Sequence, residues 1–501
     1  MRVSRLVTLF LLFAAAMQAP AQTPPPTTNP LVLGEWSAVR KWPFVAIHVA
    51  LFPDGRIIGW SRKDGVTTLD TFVGDPKSGT FTNIPNTFVQ PFCAGQTFLP
   101  DGRLLVAGGH DRFDTWGAIQ TTIFDPRTNA WTKSMNMNAG RWYPTTSPLP
   151  NGDVLVVSGD FPPAPGVAEG SGRRNGLPQV WSPATGRWRD LTTAIDNGIE
   201  LYPWMLLAPN GRVFMAGPRA GTAWLDTSGT GRWTPGPPSS VIFRDYGSAV
   251  MYEPGKVLIV GGGNPPQRTA ETIDLNVARP EWKPTGSMEL ARRQMNATIL
   301  PDGTVLATGG TNGGGFNDWR RPVLRAELWD PKTGTWRGLG TASVTRVYHS
   351  IAILLPDATV LNAGGGLPPW GEPPPPPPPG LPPYEAGPFH NSAQIYSPPY
   401  LFRGARPVIA TAPAAIRYGE RFTVATPNAA DIGKVTFLHP GAVTHAFDQS
   451  QRFVSLSFTV EGGNLRVTAP ANGNIAPPGH YMLFILSKNG VPSVAKWVTI
   501  Q

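Results

Sequence analysis

The chain of 501 residues carries 42 Lys and Arg against 33 Asp and Glu, a formal net charge of +9. The basic residues are scattered with no run of five, so the charge describes a generally basic surface suited to anionic polymers and excludes a nucleic-acid-binding stripe. Only 15% of residues are charged, whereas Gly (56), Pro (57) and Trp (17) are abundant, a composition of strands and tight turns rather than long helices.

In chain order, residues 1–21 read as a secretory signal. Arg2 and Arg5 form its charged end, Leu6 to Ala16 its apolar region, and Ala19-Pro20-Ala21 its small-residue cleavage site. The expectation is a secreted, periplasmic or cell-envelope protein, with a retained anchor as the alternative for this segment. No later run reaches the roughly 18 apolar residues of a membrane span. A chain of this length can bury large cores and divide into two or more domains. Exported proteins often carry disulfides, yet the single cysteine, Cys93, has no internal partner. It reads either as a small buried hydrophobe or as a reactive thiol.

A repeat follows. Apolar runs are broken by Pro53-Asp54-Gly55, Pro100-Asp101-Gly102, Pro150-Asn151-Gly152, Pro209-Asn210-Gly211, Pro254-Gly255, Pro301-Asp302-Gly303 and Pro356-Asp357-Ala358. Such turns between apolar runs are hairpin signals, and they start 47, 50, 59, 45, 47 and 55 residues apart. The second strand of each unit ends in small residues such as Gly108-Gly109 or Gly261-Gly262-Gly263. A second signal closes most units: Asp125…Trp131, Ser182…Trp188, Asp226…Trp233, Asp274…Trp282 and Asp330…Trp336. A period near 50 with glycines and then Trp predicts a seven-bladed kelch-type β-propeller over residues 22–403, its closing strand supplied by the segment containing Trp36 and Trp42. Residues 367–388 form an insertion with seven consecutive prolines, expected as a stiff polyproline loop. Residues 404–501 show short alternating strands separated by turns, which predicts an immunoglobulin-like β-sandwich. The chain is expected to be all-β and monomeric.

Counting back seven residues from each turn proline gives Cys93, Tyr143, Tyr202, Gly247, Gln294 and His349. These are equivalent points where each innermost strand begins beside the axis, so a thiol, phenols and an imidazole converge on one end of the channel. Tyr348 precedes His349 on the same approach. Neighbours on a strand point to opposite faces, so Tyr348 and His349 reach one point only if the chain bends there. The spacing makes a pocket and does not by itself make a metal site.

The residues around these points carry a resemblance. Phe92-Cys93-Ala94-Gly95, Gly140-Arg141-Trp142-Tyr143, Arg346-Val347-Tyr348-His349-Ser350, Thr444-His445 with Asp448 to Arg452, and Pro478-Gly479-His480-Tyr481 occur in this order. From about Trp36 onward the chain resembles the galactose oxidase and glyoxal oxidase family of copper radical oxidases. The resemblance implies one copper per chain, held by Tyr143, Tyr348, His349 and His445. It implies a thioether between Cys93 and the ring of Tyr143 that stores a radical, with Tyr348 as axial ligand and base. Cys93, Tyr143 and Tyr348 would be the catalytic residues, and O2 the co-substrate yielding H2O2. A sulfur substituent spreads the unpaired electron, and imidazole with anionic oxygen suits Cu(II). No nicotinamide or flavin motif is present, so the organic cofactor would be built from the protein.

The chain departs from galactose oxidase where substrate binds. The tryptophan that stacks on the cross-linked tyrosine in that enzyme aligns with Ser158-Gly159-Asp160-Phe161, so a smaller ring or a shifted residue is expected as the shield. Its galactose-holding arginine aligns with Pro203, and Tyr202-Pro203-Trp204 is closer to the glyoxal oxidase side. Small aldehydes, or primary alcohols including glycan ends, are the expected substrates, with Phe161, Tyr202, Trp204 and Trp370 as candidate contacts. His48, His110, His390 and His439 match no ligand motif and read as packing or surface residues, and His480 as packing in the sandwich. The alternative function is a non-catalytic propeller binding glycan or cell-wall polymer. A sialidase-type hydrolase would need Ser-x-Asp-x-Gly-x-x-Trp boxes, which the Asp-Pro-Lys-Thr-Gly-Thr-Trp boxes here do not match.

Overall fold

A computed structural model describes residues 28–63, 66–163, 172–366 and 389–501. The expected signal segment, the polyproline insertion and Trp370 lie outside these residues. Among the described residues nearly every regular element is a strand; the exceptions are the four-residue helix Pro30–Leu33 and two short 3-10 turns.

Seven antiparallel sheets succeed one another along the chain. Each runs from an inner strand outward, as in His48–Leu51, Ile57–Trp60, Thr71–Asp75 and Thr80–Asn83 of the first. The inner strands of the following sheets are Gly95–Phe98, Thr145–Pro148, Met205–Leu207, Ser248–Glu253, Arg293–Ile299 and Ser350–Leu354. The ring closes as expected: Glu35–Trp36 and Arg40–Lys41 both pair with Ser392–Ser397 of the seventh sheet, with Trp36 opposite Tyr396. This joins the two ends of the propeller by backbone hydrogen bonds.

Inner strands are covered on both faces, so they show no apolar-polar alternation, and their polar members such as Gln96 and Asn296 are buried too. Arg293–Ile299 and Ser350–Leu354 are buried at every position. Each fully buried Val, Leu or Ile contributes roughly 1.5–3 kcal/mol. The recurrent Trp near each unit's end ties neighbouring sheets together. Trp131 Nε1 donates to Thr71 Oγ1 (3.1 Å), and Trp188 Nε1 to Thr121 Oγ1 (3.1 Å).

The C-terminal sandwich pairs a five-stranded sheet with a three-stranded one. The first contains Ala415–Ile416, Lys496–Ile500, Gly479–Ser487, Ile432–His439 and Arg452–Leu456. The second contains Arg421–Val424, Asn464–Thr468 and Phe458–Glu461. Between Ile432–His439 and Arg452–Leu456 the chain leaves the sandwich as a hairpin, Ala442–Thr444 and Phe447–Asp448, which adds two strands to the inner edge of the first propeller sheet. Val49 faces Val443 and His48 faces Thr444. That pairing sends one loop of the second domain into the axial channel.

Candidate active site

Each of sheets two to seven reaches the axis through one residue in the left-handed region. The six are Cys93 (φ 63°), Tyr143 (63°), Tyr202 (44°), Tyr246 (51°), Gln294 (59°) and His349 (67°). In the fifth sheet the residue is Tyr246 and not Gly247. Pro254-Gly255 lacks the Asp or Asn of the other turns, so a count from the proline slips by one, whereas a count from the turn glycine finds Tyr246. The positions are stitched together around the axis. Tyr143 N–H donates to Cys93 O (2.8 Å), Tyr202 N–H to Tyr143 O (2.8 Å), and Gln294 N–H to Tyr246 O (2.7 Å).

A non-glycine residue in this region costs of order 1 kcal/mol, so the surroundings must impose it. Four fully buried arginines, Arg141, Arg244, Arg292 and Arg346, lie just upstream of four of the bends. Each donates Nη1 to a carbonyl at the end of its own sheet's second strand: Ser158 O (2.7 Å), Gly261 O (3.1 Å), Gly309 O (3.2 Å) and Gly364 O (2.6 Å).

The bend explains how neighbours in sequence become neighbours in the site. Tyr348 and His349 stack with ring centroids 3.7 Å apart, and Trp142 and Tyr143 stack at 3.8 Å with planes 12° apart. Phe161, the aligned shield candidate, lies under the guanidinium of Arg173 (4.6 Å). The ring covering Tyr143 is therefore Trp142, from the preceding position.

His445 (φ 48°) stands at the tip of the sandwich hairpin. Buried Asp448 braces the hairpin by accepting the N–H groups of Ala442 (2.9 Å), Ser450 (3.0 Å) and Gln451 (2.9 Å). Gln449 Oε1 accepts Gln96 N–H (3.1 Å) and Thr146 N–H (2.9 Å), which fastens the hairpin to sheets two and three.

The five residues expected to form the centre converge. The Tyr143 and Tyr348 hydroxyls are hydrogen-bonded to each other. His349 and His445 meet edge to face at 4.6 Å, Tyr143 and His445 at 4.5 Å, and Cys93 Sγ is 3.9 Å from His445 Nε2. The tautomers follow from partners. His349 Nδ1–H donates to Gly366 O (3.1 Å), leaving Nε2 buried without a hydrogen-bond partner. Thr444 Oγ1 donates to Ile47 O (3.0 Å) and therefore accepts from His445 Nδ1–H (2.6 Å), so Nε2 of His445 also keeps its lone pair. Burial holds both imidazoles well below the usual histidine range, hence neutral, and pushes the phenols of Tyr143 and Tyr348 well above theirs.

Two neutral imidazole lone pairs facing two phenols form a nitrogen and oxygen donor set that fits Cu(II). Among the described residues no three His, Cys, Asp or Glu side chains form a metal cluster, so phenols must complete any such site. His48 is buried and accepts the backbone N–H of Cys93 on Nε2 (3.0 Å), so it holds the main chain at that bend. His110, His390 and His439 are buried as well.

A cavity of about 180 Å³ opens beside Tyr143, Tyr246 and His445, walled by Trp142, Trp204 and Phe243. Tyr202 lines it too, and its hydroxyl donates to Ala94 O (3.0 Å). Of the candidate substrate contacts, Tyr202 and Trp204 are here, Phe161 is not among the lining residues, and Trp370 lies outside the described residues. Trp142, Tyr246 and Phe316, edge-on to Tyr348 at 4.7 Å, were not singled out from sequence. Counting from the turn glycines would have found Tyr246.

Comparison with known proteins accords with this geometry. Residues 406–500 match the family model described as galactose oxidase-like, Early set domain. The chain is 29% identical over 513 residues to a galactose oxidase of Gibberella zeae, covering 93% of this chain and 71% of that protein. It is 31% identical over 458 residues to the aldehyde oxidase GLOX of Vitis pseudoreticulata, covering 82% of each. A solved fungal alcohol oxidase in complex with copper superposes with a TM-score of 0.82 at 27% identity, covering 94% of this chain and 100% of that one. The chain belongs to the galactose oxidase and glyoxal oxidase family of copper radical oxidases and is an oxidase of that type.

Proposed function

We propose that the protein is an exported copper radical oxidase that converts small primary alcohols to aldehydes, or aldehyde hydrates to acids, with O2 reduced to H2O2. Tyr143, Tyr348, His349 and His445 hold the metal, and Cys93 is joined to the Tyr143 ring. Making that bond removes one hydrogen from the thiol and one from the ring, and O2 takes both. Bound copper supplies one of the two electron-accepting centres that removing two electrons from a CH–OH group requires.

The rest is the work of the chain. Tyr143, with sulfur on its ring, stores the second oxidising equivalent. Tyr348 takes the hydroxyl proton of the substrate. Trp142, stacked on Tyr143, keeps water off that ring, and the aromatic cavity walls orient a small substrate toward Tyr143 and His445. The observation that carries this reading is the meeting of the His349 and His445 Nε2 lone pairs with the Tyr143–Tyr348 hydroxyl pair from three separate chain segments. Its basis for export is the charged, apolar and small-residue pattern of residues 1–21.

The test is peroxide output from copper-loaded protein on a panel of small aldehydes, primary alcohols and glycans bearing primary hydroxyls. Peroxide formed stoichiometrically with oxidised product is expected on the small substrates, and no peroxide on any member contradicts the proposal.

A further inference from the structure

The cavity beside Tyr143 and His445 has aromatic walls and a charged lining. Glu200 and Asp245 both line it, and among the described residues they are the only Asp, Glu, Lys or Arg side chains that do. Glu200 lies just before the bend at Tyr202, and Asp245 just before the bend at Tyr246. Each is held by one arginine that does not line the cavity. Arg219 pairs with Glu200 and lies 5.3 Å over the ring of Phe243; Arg293 pairs with Asp245 and lies 5.5 Å over the ring of Tyr246. Phe243 and Tyr246 are themselves lining residues. One guanidinium thus fixes a carboxylate and an aromatic wall together, twice. The Glu200 and Asp245 side chains are 21% and 32% exposed, which puts them at the mouth, whereas Tyr143 and His445 are buried.

We propose that Glu200 and Asp245 determine substrate choice: they select primary alcohols whose far end carries a hydroxyl or an ammonium, and turn away those ending in a carboxylate. The role rests on the function proposed above, which puts the reacting end at Tyr143 and His445 and the far end at the mouth. An ionised carboxylate only accepts hydrogen bonds, and an arginine partner favours that form. Burial and Glu200 raise the Asp245 carboxyl above its usual value, and Arg293 opposes the rise. A hydroxyl or ammonium donates to such an oxygen, and a bond to a charged acceptor is among the stronger ones. A substrate carboxylate would set acceptor against acceptor and like charge against like charge, with the compensating guanidinium outside the cavity. This preference runs against the net charge of +9, which by itself favours anions. Charges scattered over the surface are screened beyond about 8–10 Å, whereas the lining carboxylates touch what enters.

The test uses copper-loaded full-length protein and a matched set of primary alcohols that differ only at the far end: propan-1-ol, propane-1,3-diol, 3-aminopropan-1-ol and 3-hydroxypropanoate. At neutral pH, kcat/KM for the diol and the amino alcohol should exceed that for 3-hydroxypropanoate by about tenfold or more, and added salt should narrow the gap. The double variant E200Q/D245N should lose on the amino alcohol and gain on 3-hydroxypropanoate. Structural damage would lower every substrate together. If the double variant does not fold, Glu200→Gln alone serves, since its partner Arg219 is exposed. Ligand-observed NMR on the metal-free wild type should give the same order, with 3-aminopropan-1-ol bound more tightly than 3-hydroxypropanoate. Wild type that oxidises 3-hydroxypropanoate as well as the diol, or a variant that loses equally on the whole set, would overturn the role. No peroxide from any of these alcohols, with the binding order intact, would instead remove the proposed function and leave the selectivity standing, so the two failures are distinguishable.

Discussion

His349 and His445 meet at right angles, with ring centroids 4.6 Å apart and planes at 85°. One belongs to the last propeller sheet and the other to a hairpin sent out by the sandwich. Neither domain holds both imidazoles, so the site exists only because the hairpin pairs with the first sheet.

The hairpin's anchor should therefore control the site from a distance. Replacing Gln449 with Ala leaves the buried N–H groups of Gln96 and Thr146 without this acceptor. Leaving buried donors unpaired costs about 1–3 kcal/mol each. Q449A should melt lower and bind copper more weakly, measured by calorimetric titration of the metal-free protein. Wild-type affinity in a protein of lowered stability would show that the hairpin does not position His445.

The buried arginines should be essential to stability. Arg292 Nη2 meets Glu327 Oε1 with both side chains fully buried. Arg292→Met leaves the buried carboxylate without its cation, held only by the Glu289 and Leu290 N–H groups, an expected loss of about 3–5 kcal/mol. The double variant R292M/E327L should recover much of it, because no charge is then stranded. Denaturant unfolding of the three proteins measures this, and additive losses would argue against the pair acting as a unit.

Stability should fall with acid for a stated reason. Burial lowers His439 to about 4 and His48 to about 3 from the ordinary histidine value. A depressed folded-state value means that the unfolded chain binds the proton first. The stability each imidazole contributes is thus present above its unfolded value of about 6.5 and is lost as pH falls toward the folded one. Metal-free His439→Phe should show a stability slope between pH 6.5 and 4 shallower than wild type by about 1.4 kcal/mol per pH unit. An unchanged slope would mean that His439 is protonated equally in both states.

The propeller was legible because its signals are local and repeated. A proline-led turn and a closing Trp recur in successive units, and Trp131 and Trp188 make the same contact to a threonine of the preceding sheet. The Ig-like sandwich was legible from alternation, but the hairpin at Ala442–Asp448 was not, since its strands pair with the propeller and their pattern obeys that sheet. Family motifs pointed to Cys93, Tyr143, Tyr348, His349 and His445 together. Trp142 was missed because stacking on its own neighbour requires the left-handed turn at Tyr143, which no residue type there announces. Tyr246 was missed because one turn is a residue short.

The most direct test of the central claim is the mass of the protein itself. After aerobic copper loading, wild type should be lighter by two hydrogens than its sequence, with one cross-linked peptide joining Cys93 to Tyr143. Cys93→Ser and Tyr143→Phe should each keep their full mass. A wild type of unchanged mass, whose Cys93 and Tyr143 peptides separate after digestion, would contradict the account.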